Sequence, residues 1–397
     1  MKILIALSRF PLPAQKGDKL RAWQQIQFLS EKFDITLICL SDKLPSSEEL
    51  NAVKPFCKKI LICPIPFWQR ILPLFLGIFK QWPFQVSYFY SEKAKQIIRN
   101  EIVLENHNLC YVQLVRMGET VPIIPGVKYF MDYMDAMSKG MLNRTPFVSG
   151  PKKWFFQLEA SLLKRYEKRI GDIYDGYSVI TNSDAKALDL NHPEKLKVIP
   201  NGVDSRFFTY PPVAWEERPN DVLFSGNLAY FPNVEAAKFL VKVIMPFVWA
   251  ELPETKVILA GIHPAAELVA LESAKVKLTG FVPEMATIMQ QSKVYVAPLF
   301  TGAGLQNKLL EAMAVGIPVI TTPLANEALG AKPEIDLIIC KDAPAFAKQI
   351  LALLYDAQKA QKIAASGRQF IETHYRWEPS NQILFNALLE ISHNRQS

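Results

Sequence analysis

A chain of 397 residues is long enough for two domains of ordinary size. Half of its residues are hydrophobic and 21% are charged, a balance that excludes a disordered protein. The net charge of +7 predicts partners that carry phosphate, or an anionic membrane surface, and does not choose between them.

The cysteines and the N-terminus bear on the compartment. The five cysteines are scattered and odd in number, which favours a reducing compartment and argues against a structural metal. The apolar run 3–7 is too short for a secretory core, and no run reaches the roughly 18–20 residues that span a bilayer. We therefore expect a cytoplasmic protein, at most peripheral on the inner face of the plasma membrane.

The first elements predict a doubly wound sheet. A strand at 2–7, a proline-rich loop, a helix at about 18–32 and a strand at 35–40 form a βαβ unit. The loop has one glycine, Gly17, and so lacks the G-x-G-x-x-G fingerprint of dinucleotide binding. By itself Gly17 is equally well explained as a turn at the start of a helix.

Residues 54–90 combine aromatic, apolar and basic side chains. Nine uncharged residues lie between Arg70 and Lys80, with a tryptophan beyond each. Such flanks are typical of a segment that lies in a membrane interface. The same residues fit a helix packed into the domain and kinked at Pro73. The first alternative predicts contact with an anionic membrane through 58–90.

The segment YFMDYMDAMS follows a predicted strand and contains two acids, Asp132 and Asp135. They are three residues apart, and no other acidic pair in the chain has the spacing of a metal site. We therefore expect no metal. A helix N-cap or a turn would explain either acid.

A second half begins after a linker. Residues 209–220 contain three prolines and three charges and predict an exposed linker. The next segment, DVLFSGNLAYFPN, repeats the strand, turn and helix layout of the N-terminus, which indicates a second Rossmann-like half. Gly226, Asn227 and Gly261 fall at strand ends, on the edge where such sheets bind ligands.

The most informative stretch is VYVAPLFTGAGLQNKLLEAMAVGIPVITT, at 294–322. It predicts a buried strand, a glycine turn, a helix that ends at Gly316, and a second strand. Free N–H groups and the positive end of the helix dipole favour a phosphate at the helix start. The residues predicted to bind it are Gly302, Gly304, Leu305, Gln306 and Asn307.

Two side chains on that helix point to a nucleotide. Lys308 and Glu311 are three apart and share a face one turn from the helix start. The lysine could hold a diphosphate and the glutamate the two hydroxyls of a ribose. The alternative is a surface salt bridge worth about 0–1 kcal/mol, and spacing alone does not decide between them.

Three segments of the sequence resemble segments of a known protein family. GLQNKLLEAMAVGIPVITT resembles the donor-nucleotide segment of GT-B glycosyltransferases, specifically the retaining family 4 or group 1 enzymes. VIPNGVDSRFF resembles the segment at that family's domain junction, and GRQFIETHYRW its C-terminal tail. The family usually has two glutamates flanking seven residues; the second falls on Glu311 and the first on Ala303, which has no carboxylate. The motif QNK-LEAM is similar to the sequence that a subgroup of this family, often found in exopolysaccharide gene clusters, has at this place.

The resemblance implies an α/β GT-B fold of two Rossmann-like, doubly wound parallel-sheet domains facing a cleft. Residues 1–205 would bind the acceptor and 221–378 the nucleotide sugar, with helix 379–393 packing back on the first domain. It implies a glycosyltransferase, which we expect to need no cofactor and, because no acidic pair has the spacing of a metal site, no metal. This enzyme would move a sugar from a UDP- or GDP-linked donor to a glycan or polyprenyl-linked acceptor, with retention.

The resemblance also implies roles for single residues. A glycine at the place of Gly17 lines the cleft in that family, and Asp132 would position the acceptor hydroxyl or act as a base. Relatives often carry a basic pair after Gly226, which is absent here, so Lys308 is the expected catalytic cation. The alternatives are a nucleotide-sugar epimerase on the same fold and a non-catalytic nucleotide or glycan binder. Nucleic acid is not an expected partner, because basic and aromatic residues interleave densely only within 54–90.

Overall fold

The computed structural model describes residues 1–14, 16–210, 213–301 and 304–393, and the chain divides into two compact units. The first unit comprises Met1–Pro200 and the chain from Trp377 onward, and the second comprises Asn201–Arg376. The first unit therefore ends at Pro200 rather than at residue 205. Residues after Pro200 belong to the second unit, where Val203 forms a β-bridge with Arg376.

The first unit is built on seven parallel strands with nearly continuous apolar sequences, as expected for strands covered on both faces. The strands are β1 Lys2–Leu7, β2 Asp34–Ser41, β3 Lys59–Pro64, β4 Leu109–Gln113, β5 Lys128–Met134, β6 Gly176–Val179 and β7 Leu196–Val198. Their order in the sheet is β3-β2-β1-β4-β5-β6-β7. The order reverses between β1 and β4, and this is where open α/β sheets form a ligand crevice at their carboxyl edge.

Helices cover both faces of this sheet. They are α1 Gly17–Ser30, α2 Ser47–Val53, α3 Ile71–Lys80, α4 Phe84–Phe89, α5 Glu92–Leu104, α6 Met137–Leu142, α7 Gly150–Ile173 and α8 Asn182–Leu188. The C-terminal helix of the chain, Trp377–His393, packs against α1 in the same unit. There the side-chain amide of Asn381 donates to the carbonyl of Gln24 at 3.1 Å.

The second unit repeats the plan with six parallel strands. These are β8 Asn220–Ser225, β9 Val257–Ala260, β10 Val276–Leu278, β11 Ser292–Ala297, β12 Val319–Thr321 and β13 Ile338–Ile339. Their order is β10-β9-β8-β11-β12-β13, so this sheet reverses between β8 and β11. Two parallel-sheet units of this kind confirm the predicted α/β class.

The helices of the second unit alternate with its strands. They are α9 Arg206–Thr209, α10 Phe231–Phe239, α11 Met245–Glu251, α12 Ala266–Val269, α13 Met285–Gln290, α14 Asn307–Val315, α15 Pro323–Leu329, α16 Ala343–Tyr355 and α17 Ala357–His374. The helix Trp377–His393 of the first unit is α18. Across the described residues, no helix combines the length and the apolar character needed to span a membrane.

The alternative of a helix that is packed into the domain and kinked at Pro73 is wrong for α3. Of its ten residues only Pro73 and Gly77 are buried, so the helix is not part of the core. Pro73 lies in the first turn, where a missing N–H removes no helical hydrogen bond, and a kink is not required. The apolar side chains of α3 therefore face outward.

Candidate active site

The site of the second unit lies at the carboxyl ends of β8 and β11, the two neighbouring strands where the sheet order reverses. Strand β8 runs into Gly226, and β11 runs into the turn that precedes α14. Sequence positions far apart in the chain are therefore brought to one edge. The predicted residues found on the described part of this edge are Gly226, Asn227, Gly261, Gly304, Leu305, Gln306, Asn307, Lys308 and Glu311.

Two glycines allow the backbone to approach closely here. A Cβ at Gly261 would lie 1.7 Å from the carbonyl oxygen of Gly226. A Cβ at Gly226 would lie 2.7 Å from Nδ2 of Asn233 and 3.3 Å from Nζ of Lys308. Both glycines also have φ values, 153° and 149°, that residues with a side chain rarely adopt. Glycine is therefore required for Lys308 to reach this turn.

Asn227 holds the turn after β8. Its side-chain oxygen accepts a hydrogen bond from the amide of Ala229 at 3.0 Å. Its carbonyl accepts one from Nδ2 of Asn233 at 2.9 Å. The side chain of Asn227 is exposed, so the prediction that it binds the donor stays a prediction.

Helix α14 presents an open N-terminus. Its N-cap residue, Gln306, makes no side-chain cap, and Gln306 donates instead to the carbonyl of Gly304 at 3.3 Å. The first amides of a helix have no partner within the helix, so they and the dipole are available to an anion. Gly302 and Ala303 lie outside the described residues.

Lys308 forms no ion pair with any carboxylate of the described residues. Its Nζ donates to Oδ1 of Asn233 and lies 5.2 Å from the ring centroid of Phe224. Among the described residues no carboxylate oxygen lies within 4.0 Å of it, so the salt-bridge alternative with Glu311 is wrong. Burial lowers the pKa of Lys308 to about 7, although the charge of Glu311 acts in the opposite direction. A bound anion would restore the charged state.

Glu311 is partly buried one turn further along α14. Burial raises the pKa of its carboxyl to about 7, Lys308 opposes this, and the charge of Asp204 adds to it. Within the described ranges no group donates a hydrogen bond to this carboxylate. Both oxygens are thus available to accept hydrogen bonds, as the two hydroxyls of a ribose would require.

Two asparagines of this site carried little signal in the sequence. Asn233, on α10, accepts the hydrogen bond of Lys308. Asn201, from the NGVD segment, donates through Nδ2 to Oδ1 of Asn307 at 3.4 Å. The two contacts join residues that are 75 and 106 positions apart. The spacing of residues within one segment therefore cannot reveal them.

In the first unit the structure contradicts the role predicted for Asp132. The side chain is fully buried. Arg21 Nε donates to it at 2.6 Å, Tyr111 at 2.8 Å and Ser178 at 2.9 Å. Burial by itself would raise the pKa of Asp132, but Arg21 and these hydrogen bonds lower it overall. A buried, ion-paired carboxylate neither contacts an acceptor nor takes its proton, so Asp132 stabilises the fold.

The neighbouring acid, Asp135, has the properties that were expected of Asp132. It follows β5 directly, after Met134 with a φ of 64° and a shift in the register between β5 and β6. It is partly exposed, and none of the described residues donates to its carboxylate. Burial raises its pKa to about 7, and the charges of Asp184 and Asp132 add to the effect. A carboxyl titrating near neutral pH at a ligand edge is a candidate acid or base.

Gly17 is the first residue of α1, which follows β1 at the same edge. A Cβ there would meet no described atom within 4 Å. The position therefore does not need glycine for packing, and its part in catalysis stays a prediction.

Two parallel-sheet units, the second with an uncapped helix N-terminus near its strand reversal, have the architecture of the GT-B fold. Residues 219–356 match the family model of group 1 glycosyl transferases, so the second unit carries a group 1 glycosyl transferase domain.

Known proteins are similar over nearly the whole length. An uncharacterized 44.6 kDa protein in the cps region of Klebsiella pneumoniae is 22% identical over 392 residues, which is 94% of this chain and 96% of that protein. Sucrose-phosphate synthase from Thermosynechococcus elongatus superposes with a TM-score of 0.70 at 16% identity, over 98% of this chain and 99% of that one. Anabaena Alr3699/HepE, in complex with UDP and glucose, gives 0.69 at 14% identity, over 98% and 99%. These likenesses confirm the predicted fold.

Proposed function

We propose that the protein transfers a sugar from a nucleotide-sugar donor to a glycan or lipid-linked acceptor in the synthesis of a cell-surface polysaccharide. The observation that carries this proposal is the uncapped start of α14 beside Lys308, a cation that lacks a carboxylate partner among the described residues. The complex of Anabaena HepE with UDP and glucose, and the cps-region origin of the Klebsiella relative, support it.

The donor would bind along α14. The diphosphate would accept hydrogen bonds from the first amides of the helix and from Lys308, and the ribose hydroxyls would donate to Glu311. The absence of a Cβ at Gly226 and Gly261 lets the two turns pack closely, with Nζ of Lys308 beside Gly226, where the diphosphate would bind. The family resemblance favours UDP or GDP as the nucleotide.

The chemistry would be retaining transfer on one face of the sugar. The bond between the anomeric carbon and the diphosphate oxygen breaks, and the acceptor oxygen bonds to that carbon from the same side. The hydroxyl proton leaves with the diphosphate. The amides of α14 need no reorganisation as the negative charge develops, and Lys308 adds a charged donor. No metal is needed in this scheme, and Asp135 would orient the acceptor hydroxyl.

The test is a donor-hydrolysis screen over UDP-, GDP- and ADP-linked sugars with the full-length protein. We expect hydrolysis of one class of donor, and its loss in the double variant Lys308→Ala with Glu311→Ala. A matched control is Lys242→Ala with Glu372→Ala, which removes an exposed lysine and a glutamate paired with Arg368 in the same unit. If no donor is hydrolysed and no nucleotide binds, the proposal is wrong.

We also propose that the first unit rests on an anionic membrane surface through α3. On this helix the exposed fractions reach 67% for Leu72, 71% for Ile78 and 85% for Phe79. The apolar surface continues onto α7, where Trp154 is 65% exposed and Phe155 contacts Phe84 at a ring distance of 5.7 Å. Neighbouring exposed apolar side chains of this kind mark a surface that contacts a protein or a membrane. Lys80, Lys152 and Lys153 flank it and suit anionic headgroups.

Cosedimentation with anionic liposomes tests this contact. Replacing Trp68, Phe75 and Phe79 together by serine should abolish sedimentation. Replacing three equally exposed apolar residues elsewhere, Leu104, Ile335 and Tyr355, should leave it unchanged. A wild-type protein that never sediments would contradict the proposal.

A further inference from the structure

Three arginines of the first unit surround one aromatic ring, and the transfer chemistry described above uses none of them. The guanidinium carbons of Arg9, Arg70 and Arg116 lie 5.8, 5.6 and 4.8 Å from the ring centroid of Phe89. Arg70 also lies 4.2 Å from the ring centroid of Tyr88. Like charges converge on one point only where something compensates for their repulsion.

The cluster lies at the ligand-binding edge of the sheet. Arg9 follows β1, Arg70 follows β3 and Arg116 follows β4, each within a few residues of the strand end. Because the strands are parallel, their carboxyl ends meet at one edge. Strands β1 and β4 are the pair between which the sheet order reverses, so Arg9 and Arg116 flank the ligand crevice of this unit.

The charges of the cluster are only partly compensated. Arg9 pairs with Asp18 at 3.0 Å. Arg70 pairs with Asp42, and its guanidinium also donates to the carbonyl of a residue in the preceding loop.

Arg116 differs from the other two arginines. In the described part of the chain it has no carboxylate partner, and its Nε is buried without a hydrogen-bond acceptor. Burial lowers the pKa of Arg116 to about 10, and the like charge of Arg9 adds to this, with Asp18 opposing. The side chain is still partly exposed, so a ligand can reach it. The cluster therefore carries one guanidinium more than it has carboxylates.

One short helix joins this cluster to the apolar patch. Phe89 is the last residue of α4, and α4 packs against both α3 and the turn Val115–Met117 that contains Arg116. The outward-facing apolar side chains of α3 and the unpaired guanidinium are thus on elements that share one neighbour. A lipid with an anionic headgroup and a long apolar chain complements this arrangement, because the headgroup matches the guanidinium and the chain matches the apolar side chains of α3.

We propose that Arg9, Arg70 and Arg116 bind the phosphate or diphosphate headgroup of a lipid-linked acceptor whose chain lies on α3. Arg116 supplies the planar fork that matches a phosphate, and the other two arginines add to the positive field. The strand next to β4 is β5, and Asp135 directly follows its last residue. The sugar that follows the headgroup would lie toward that carboxylate. The role as acceptor rests on the proposed function, whereas the binding of the headgroup does not.

Vesicle binding by the full-length protein tests the site. Phosphatidylcholine vesicles are prepared with and without polyprenyl diphosphate, and inorganic pyrophosphate serves as the soluble anion. We expect the lipid diphosphate to strengthen binding, and Arg116→Gln to weaken that gain by about 10- to 100-fold, as for loss of a hydrogen bond to a charged group. The matched control is Arg169→Gln: Arg169 lies 4.8 Å from the ring of Tyr166 but is paired with Glu119.

Two results would overturn the proposal. Arg116→Gln protein that binds the doped vesicles as tightly as wild type would exclude the cluster as the headgroup site. Pyrophosphate that binds as tightly as the lipid diphosphate would assign the cluster to a soluble anion instead. Circular dichroism checks that the variant is folded. Vesicle binding requires neither donor nor turnover, so its failure and a failure of donor hydrolysis are separate results.

Discussion

The substitution Lys308→Ala tests how the leaving diphosphate is stabilised. Lys308 donates to Asn233 and to no carboxylate among the described residues, so its charge is available to the ligand. Negative charge on the leaving oxygen grows as the bond between the anomeric carbon and the diphosphate breaks. The lysine should therefore stabilise the transition state more than the ground state. Removal of one such donor costs about 10²–10³-fold in kcat. The KM for the donor should change less, because the amides of α14 remain.

The pH dependence gives a second signature of the same residue. In the free protein the pKa of Lys308 is lowered to about 7, and a diphosphate favours the charged form, so its pKa rises in the complex. Binding therefore takes up a proton above pH 7. Affinity should be insensitive to this group below pH 7 and fall by up to about tenfold per pH unit above it.

Glu311 titrates in the same range with the opposite sign. Its pKa is raised to about 7, and ribose hydroxyls favour the ionised form, so binding releases a proton below pH 7. Calorimetry in two buffers of different ionisation enthalpy separates the two groups when each single variant is measured. Lys308→Ala should lose the proton uptake, and Glu311→Ala should lose the release.

Steady-state kinetics with the hydrolysed donor provide the assay, with Lys242→Ala as the control and EDTA as a second condition. A Lys308→Ala enzyme of normal kcat would show that another group carries the charge. A requirement for metal would refute the same reasoning, because in this scheme only Lys308 and the N-terminus of α14 stabilise the charge of the leaving diphosphate.

Glu311→Ala should weaken UDP or GDP binding by about 1.5–3 kcal/mol, the range for hydrogen bonds to a charged group, and unchanged affinity in calorimetry would remove the ribose assignment. Asp132→Asn should destabilise the first unit by about 3–5 kcal/mol, because it leaves the guanidinium of Arg21 buried without its ion pair; urea unfolding measures this, and a wild-type midpoint would contradict the structural role. Asp135→Asn should leave the unfolding midpoint nearly unchanged but lower transfer to the acceptor by about 10²-fold, and equal rates of transfer would exclude Asp135 as the acceptor contact.

Helix α14 could be predicted because its signals are local. A buried strand, a glycine turn and a helix that stops at Gly316 follow one another within 294–322, and each signal depends only on nearby residues. The structure places α14 at Asn307–Val315, with Gly316 in the left-handed conformation at its end. Strands β1, β2, β8, β11 and β12 were predictable for the same reason, whereas β3 lies within 54–90, where no strand was predicted.

The choice between Asp132 and Asp135 could not be made from sequence. Both acids stand near the end of one strand, and their spacing does not tell which side chain points into the unit. Arg21, which pairs with Asp132, lies on α1 more than a hundred residues earlier. Only the tertiary fold brings that guanidinium to the strand. For α3, similarly, composition allowed both a core helix and an exposed one, and the decision depends on what the neighbouring helices cover.

Lys308 and Arg116 share a property that affects how the empty protein behaves. Each is a basic side chain held partly out of water without a carboxylate partner among the described residues, so each opposes folding of the ligand-free protein. A screen that selects only for thermal stability of the ligand-free chain would therefore favour variants that lose these two charges. Stabilising the enzyme without losing its activity has to begin elsewhere, at positions that no ligand is expected to touch.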